Sequence, residues 1–65
     1  MRETLSTREI EVLQLVADGL SNRDIANKLV VTQGTVKKHL EHIYNKLDVR
    51  SRTAALAKAK THGYL

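Results

Sequence analysis

The chain contains no cysteine, no proline, no tryptophan and no phenylalanine, and only two aromatic residues, Tyr44 and Tyr64. Each absence removes a class of answer. Without cysteine there are neither disulfides nor thiolate chemistry, which fits a reducing cytosol. Without large aromatics the core must be aliphatic. No apolar run approaches the length of a signal h-region or a membrane span, so the sequence reads as soluble and cytoplasmic, with no membrane partner. At 65 residues the chain is one domain, 1–65, near the lower size at which one apolar core can hold a fold without metal or disulfide. Such a core leaves little room for a large enclosed active site.

What is present is charge, unevenly placed. The net charge is +4. Residues 1–20 carry two basic and four acidic side chains, a balance of −2, whereas residues 21–65 carry nine basic and three acidic, a balance of +6. A polyanion would meet the second part.

Helix starts punctuate the chain. In "LSTREI", Leu5 stands at N′, Ser6 at the N-cap, Glu9 at N3 and Ile10 at N4, giving a capping box and a hydrophobic staple together. "LSNRDI" repeats the pattern with Leu20, Ser21, Asp24 and Ile25, and "VTQGTV" repeats the staple with Val31, Thr32 and Val36. Gly19 is placed to stop the first helix, and Gly63 to stop a fourth that Ser51 would cap. The reading is all-α, a compact four-helix domain with helices at about 7–18, 22–29, 33–47 and 52–62.

Apolar spacing agrees with four helices. At about 100° per residue, Val36, Leu40, Ile43 and Leu47 of the third helix fall within about 60° of one another, a narrow seam against the core. On the first helix Val12, Leu13, Val16 and Ala17 share a face with Ile10 at its edge, while Leu15 lies off it. The short second helix contributes Ile25, Ala26 and Leu29. No stretch alternates apolar and polar over a strand's length.

Two short helices joined by "VVTQ" make a helix-turn-helix, whose second helix enters the DNA major groove. Opposite the seam of the third helix stand Lys38, Glu41 and Asn45, flanked by Lys37 and His42, with Thr35 and Lys46 nearer the edge. Such a helix reads DNA through its N-terminal turns, which puts Lys37, Lys38 and Glu41 at base edges. Lysine donates to guanine O6 and N7, and glutamate accepts from cytosine N4. Asn45 and Lys46, farther along, meet phosphate at most.

A plainer account runs beside each feature. A lysine-rich helix face is often only a solvated face. His39 and His42 resemble half a metal site, but there is no cysteine and Glu41 points elsewhere, so no metal or other cofactor is expected. Nothing pairs a Ser, His and carboxylate, and no phosphate-cradling loop exists, which argues against an enzyme. Gly34 either lets a phosphate approach the helix backbone or is a tolerated surface glycine.

The blocks "LSTREIEVL", "GLSNRDIANKL", "TVKKHLEHIYNKLDV" and "RSRTAALAKA" together resemble the LuxR-type (LuxR/FixJ/NarL class) helix-turn-helix domain of bacterial transcription regulators, with response regulators among its members. The match covers Leu5 to Leu65. The resemblance implies a four-helix fold, a third helix that reads double-stranded DNA and a fourth that forms a homodimer on it, with RNA polymerase as a further partner. Its base-contacting positions fall on Lys37, Lys38 and Glu41, and its backbone-contacting positions near Asn22, Thr32, Thr35, Lys46 and Arg52. The departure is Glu41, where several relatives carry a basic or neutral residue. The ending "HGYL" resembles a family C-terminus, so a C-terminal module of a longer regulator is expected ahead of a free-standing one.

On the fourth helix Ala55, Leu56 and Ala59 share the inward face, with Arg52 at its edge. Thr53, Ala57 and Lys60, at i, i+4 and i+7, form the other surface and the expected dimer interface. The competing functional class is a protein-interaction module similar to the promoter-recognition domains of sigma factors, which would show no preference among duplexes. RNA binding is weaker, since exposed aromatics for stacking are lacking.

Overall fold

The computed structural model describes residues 4–65. Four helices follow in order, α1 (Thr7–Ala17), α2 (Asn22–Leu29), α3 (Gln33–Leu47) and α4 (Arg52–Thr61). The first and last end one residue earlier than expected, because Asp18 (ψ −1°) and His62 (ψ 1°) have already turned out of helical geometry. α3 packs against each of the other three, whereas α2 and α4 lie apart and do not pack on one another.

All four starts are capped by the expected hydroxyls: Ser6, Ser21, Thr32 and Ser51 each accept from the backbone N–H three residues on. Only α1 has the full capping box, with Glu9 Oε1 accepting from Ser6 N at 2.8 Å. At Ser21 the cap runs one way, from Asp24 N–H to Ser21 Oγ, and the expected return bond from Ser21 N–H to the Asp24 carboxylate is not formed. Aspartate is one methylene shorter than the glutamate that closes the box at α1.

The ends share one device as well. In each, the N–H of a residue two or three positions past the helix reaches back to a carbonyl five residues earlier: Leu20 to Leu15, Val31 to Ala26, Val49 to Tyr44 and Tyr64 to Ala59, at 2.9–3.1 Å. This is the Schellman arrangement, which needs a left-handed residue just before the returning N–H. Gly19 (φ 88°) and Gly63 (φ 80°) supply it at α1 and α4, as expected. Val30 (φ 59°) and Asp48 (φ 58°) supply it at α2 and α3, which no glycine announces.

The core is aliphatic. Val12, Leu13 and Val16 of α1, Ile25 and Ala26 of α2, the four seam residues of α3, and Ala55 and Ala59 of α4 are buried together with Leu5. Two expectations on α1 are corrected. Ala17 is exposed, because it sits at the helix end with nothing packed over it, and Leu15 is half-buried against the core. Glu9 is buried too, at 5 % exposure, in the middle of α1's inward face.

Val30 holds a left-handed backbone with a β-branched side chain that is 89 % exposed. The conformation costs about 1–2 kcal/mol for an ordinary L-residue, and an exposed side chain recovers little by packing. Val30→Asn should therefore stabilise the domain by about 1 kcal/mol, since asparagine tolerates this region. A urea denaturation midpoint equal to or below that of the unsubstituted protein would show that the valine is not strained.

Candidate nucleic-acid interface

The turn between α2 and α3 is tight because Val31 serves two helices. It is the residue whose N–H closes the end of α2, and it precedes the Thr32 cap of α3 as the staple residue. With Val31 packed against the core, α3 is launched in a fixed direction from α2. The seam Val36, Leu40, Ile43 and Leu47 is buried, so the opposite face must look outward.

That outward face carries the expected readers. Lys37, Lys38, Glu41, His42 and Asn45 are all exposed. Thr35 is half-buried, its N–H donating to Thr32 Oγ1 at 3.1 Å and its hydroxyl lying 2.9 Å from the same oxygen. Thr32 and Thr35 thus form one hydroxyl pair at the entrance of α3. Gly34 lies on the same turn, and a Cβ there would meet only Thr32 Oγ1, at 3.8 Å. Nothing inside the fold demands glycine at this position.

The remaining expected site residues are engaged within the chain. Lys46 Nζ donates to Glu9 Oε1 at 2.8 Å, a largely shielded ion pair that ties the C-terminal part of α3 to the start of α1. Arg52 donates through Nη1 to Asn22 Oδ1 at 2.8 Å and through Nη2 to the Leu20 carbonyl at 2.6 Å. The interface therefore sorts into two kinds of residue. Lys37, Lys38, Glu41, Thr32 and Thr35 stand on the open face, whereas Lys46 and Arg52 act as internal ties. Both ties escaped the sequence reading, although Glu9 gave a signal: at about 100° per residue it falls between Val16 and Leu13, so a carboxylate on an apolar face calls for a cation. Arg23, beside Asn22 in the first turn of α2, is exposed as well.

Burial is the strongest single influence on Glu9 and pushes its pKa up. The hydrogen bonds from Lys46 and the Ser6 N–H, with the charge of Lys46, together outweigh it, and the carboxyl titrates below its ordinary value. A carboxylate whose folded pKa lies below its unfolded one contributes stability that is full above the unfolded value, about 4.3, and is lost as pH falls through the folded value.

Thr53, Ala57 and Lys60 of α4 are exposed and the inward Ala55 and Ala59 are buried. Among the described residues no group of three or more His, Asp or Glu side chains could hold a metal ion, and no helix is long and apolar enough to cross a membrane.

A central helix-turn-helix in a four-helix body with no strand among the described residues, and an exposed basic face on the second helix of the pair, defines a DNA-binding module of transcription regulators. The chain belongs to the luxR family of bacterial regulatory proteins, whose family model matches residues 3–59. It is similar to the transcriptional regulatory protein LnrK of Bacillus subtilis, 49 % identical over 91 % of this chain and 27 % of LnrK. It is likewise similar to DegU of Brevibacillus brevis, 43 % identical over 94 % of this chain and 26 % of DegU. Among solved structures, the response regulator ChrA of a heme-sensing two-component system superposes with a TM-score of 0.94 at 51 % identity, over 100 % of this chain and 32 % of ChrA. The transcription factor GerE superposes with a TM-score of 0.91 at 33 % identity, over 98 % of this chain and 96 % of GerE. The chain thus spans about a quarter of the length of LnrK and DegU. The relatives it matches are transcriptional regulatory proteins.

The Glu9 environment yields a test. Glu9→Gln should lower stability at pH 7 by about 1.5–3 kcal/mol, the range for a hydrogen bond to a charged group. The difference should shrink as pH falls below the unfolded value and through the lowered folded one, where the protonated side chain is itself neutral. Urea midpoints measured from pH 7 down through the acid range check this, and a gap that stays constant until the domain unfolds in acid would mean that the charge of Glu9 is not what matters.

Proposed function

We propose that the domain binds double-stranded DNA sequence-specifically, with the N-terminal turns of α3 in the major groove. The single observation that carries the reading is that Lys37, Lys38 and Glu41 are exposed together on the face opposite a fully packed seam. A seam buried on three helices leaves α3 rigid, and a rigid helix can hold donors at fixed spacing against base edges. Lys37 and Lys38 would donate to guanine O6 and N7, and Glu41 would accept from cytosine N4. Thr32, Thr35 and Asn22 would position the protein on phosphates, which fix register without reading sequence. Lys46 reaches phosphate only by loosening its hold on Glu9, so the open-face residues carry most of the contact.

The second half of the reading is a homodimer on DNA through α4. Thr53, Ala57 and Lys60 form an exposed strip whose two small side chains permit close approach of a second copy. Two copies related by a two-fold axis would bind an inverted repeat with half-sites about 10 bp apart, one turn of the duplex. RNA polymerase would be the further partner of a domain so placed.

Selection from random duplexes with the purified domain tests the class directly, since one enriched motif separates a DNA reader from a protein-interaction module. On that motif Lys38→Ala should cost about 1–3 kcal/mol, and much less on random DNA. Equal losses on both would reduce the basic face to an electrostatic footprint. Ala57→Arg should weaken binding to the full repeat while leaving a single half-site nearly untouched. Undiminished binding to the repeat would argue for monomers.

A further inference from the structure

We infer that Arg52 is a positioning residue for DNA binding, acting through Asn22 rather than as a phosphate ligand of its own. The inference rests on the DNA-binding reading above. α2 and α4 do not pack on each other, yet the Arg52 side chain spans them, donating to Asn22 Oδ1 at 2.8 Å and to the Leu20 carbonyl at 2.6 Å. These two acceptors flank Ser21, the N-cap of α2. One guanidinium therefore fixes the chain on both sides of the residue at which α2 begins.

Its second effect is chemical. Arginine carries only donors, so the atom of Asn22 that faces it must be the carbonyl oxygen. The amide of Asn22 is thereby locked with its NH2 turned away from Arg52. That NH2 has no partner among the described residues, and Asn22 is only half-buried. It lies on the first turn of α2 beside the exposed Arg23. Two donor hydrogens are thus held off Arg52, on a residue that keeps part of its surface open. Without Arg52 the amide could rotate about its last side-chain bond and offer an acceptor to a phosphate, which repels it. The planar fork matters here, because a lysine ammonium cannot hold two acceptors in that fixed geometry.

The experiment is a double-mutant cycle on the selected duplex, with Arg52→Lys, Asn22→Ala and the pair together, each first shown folded by circular dichroism. Arg52→Lys keeps the charge, so it should leave the salt slope unchanged while weakening binding roughly three- to tenfold, the size of one net hydrogen bond. Asn22→Ala should lose about as much, and the double variant no more than either single one. Additive losses, or Arg52→Lys binding as tightly as the unsubstituted domain, would make Arg52 an independent phosphate contact and overturn the proposal while leaving the DNA-binding reading intact. Asn22→Asp covers the case in which Arg52→Lys fails to fold. Its carboxylate keeps a partner in Arg52 and should hold the melting temperature, yet it removes the donors and should weaken DNA binding by at least about tenfold. Undiminished binding by that variant would also overturn the proposal. Failure of the unsubstituted domain to prefer any duplex would bring down the DNA-binding reading, and this proposal with it.

Discussion

The structure depends on a constraint at its two tightest turns, where one residue must both end a helix and begin the next. Leu20 donates its N–H back to Leu15 to close α1 and stands at N′ of α2. Val31 does the same between α2 and α3. Each is apolar and packed against the core, so hydrogen bonding and burial fix the same backbone atoms. The angle between α2 and α3 is set there, and with it the direction in which Lys37 and Lys38 face. A chain with no cysteine and no large aromatic gains its order from this economy of connection.

Legibility in the sequence follows range along the chain. Caps and staples span three or four residues, so all four helix starts could be read, and the seam of α3 emerged from periodicity alone. The helix ends at Val30 and Asp48 could not, because their left-handed geometry is imposed by the packing of Val31 and Val49 and not by any preference of valine. Leu15 and Ala17 were misjudged for a related reason. A helix face as drawn on a wheel ignores which neighbours are present, and nothing covers the end of α1 at Ala17.

The interface divides along the same line. Open-face residues were found from local spacing, whereas the ties formed by Lys46 with Glu9 and by Arg52 with Asn22 bridge 37 and 30 positions along the chain. No local pattern pairs residues at that separation. The clue was burial: a charged group that falls inside an apolar arc must find a partner or go unionised. Counting cations overstates the electrostatic reach of a basic domain, because a cation bound to a carboxylate or a carbonyl inside the fold offers less to an external polyanion. The +6 balance of residues 21–65 includes both kinds.

The hydrogen bond from Leu5 N to the Tyr64 hydroxyl, at 3.5 Å, brings the residue before the cap of α1 against the last residues of the chain. Lys46 also reaches the Thr4 carbonyl, so this meeting point lies at the C-terminal end of α3, away from the turn that carries Lys37 and Lys38. Leu5 and Tyr64 are close enough for a short loop to join the chain there, and the break could be moved to the exposed tip between α3 and α4, around Arg50 and Ser51. Such a circular permutant would keep every helix and every tie while presenting its new ends beside α4, turning the domain around with respect to whatever is fused to it.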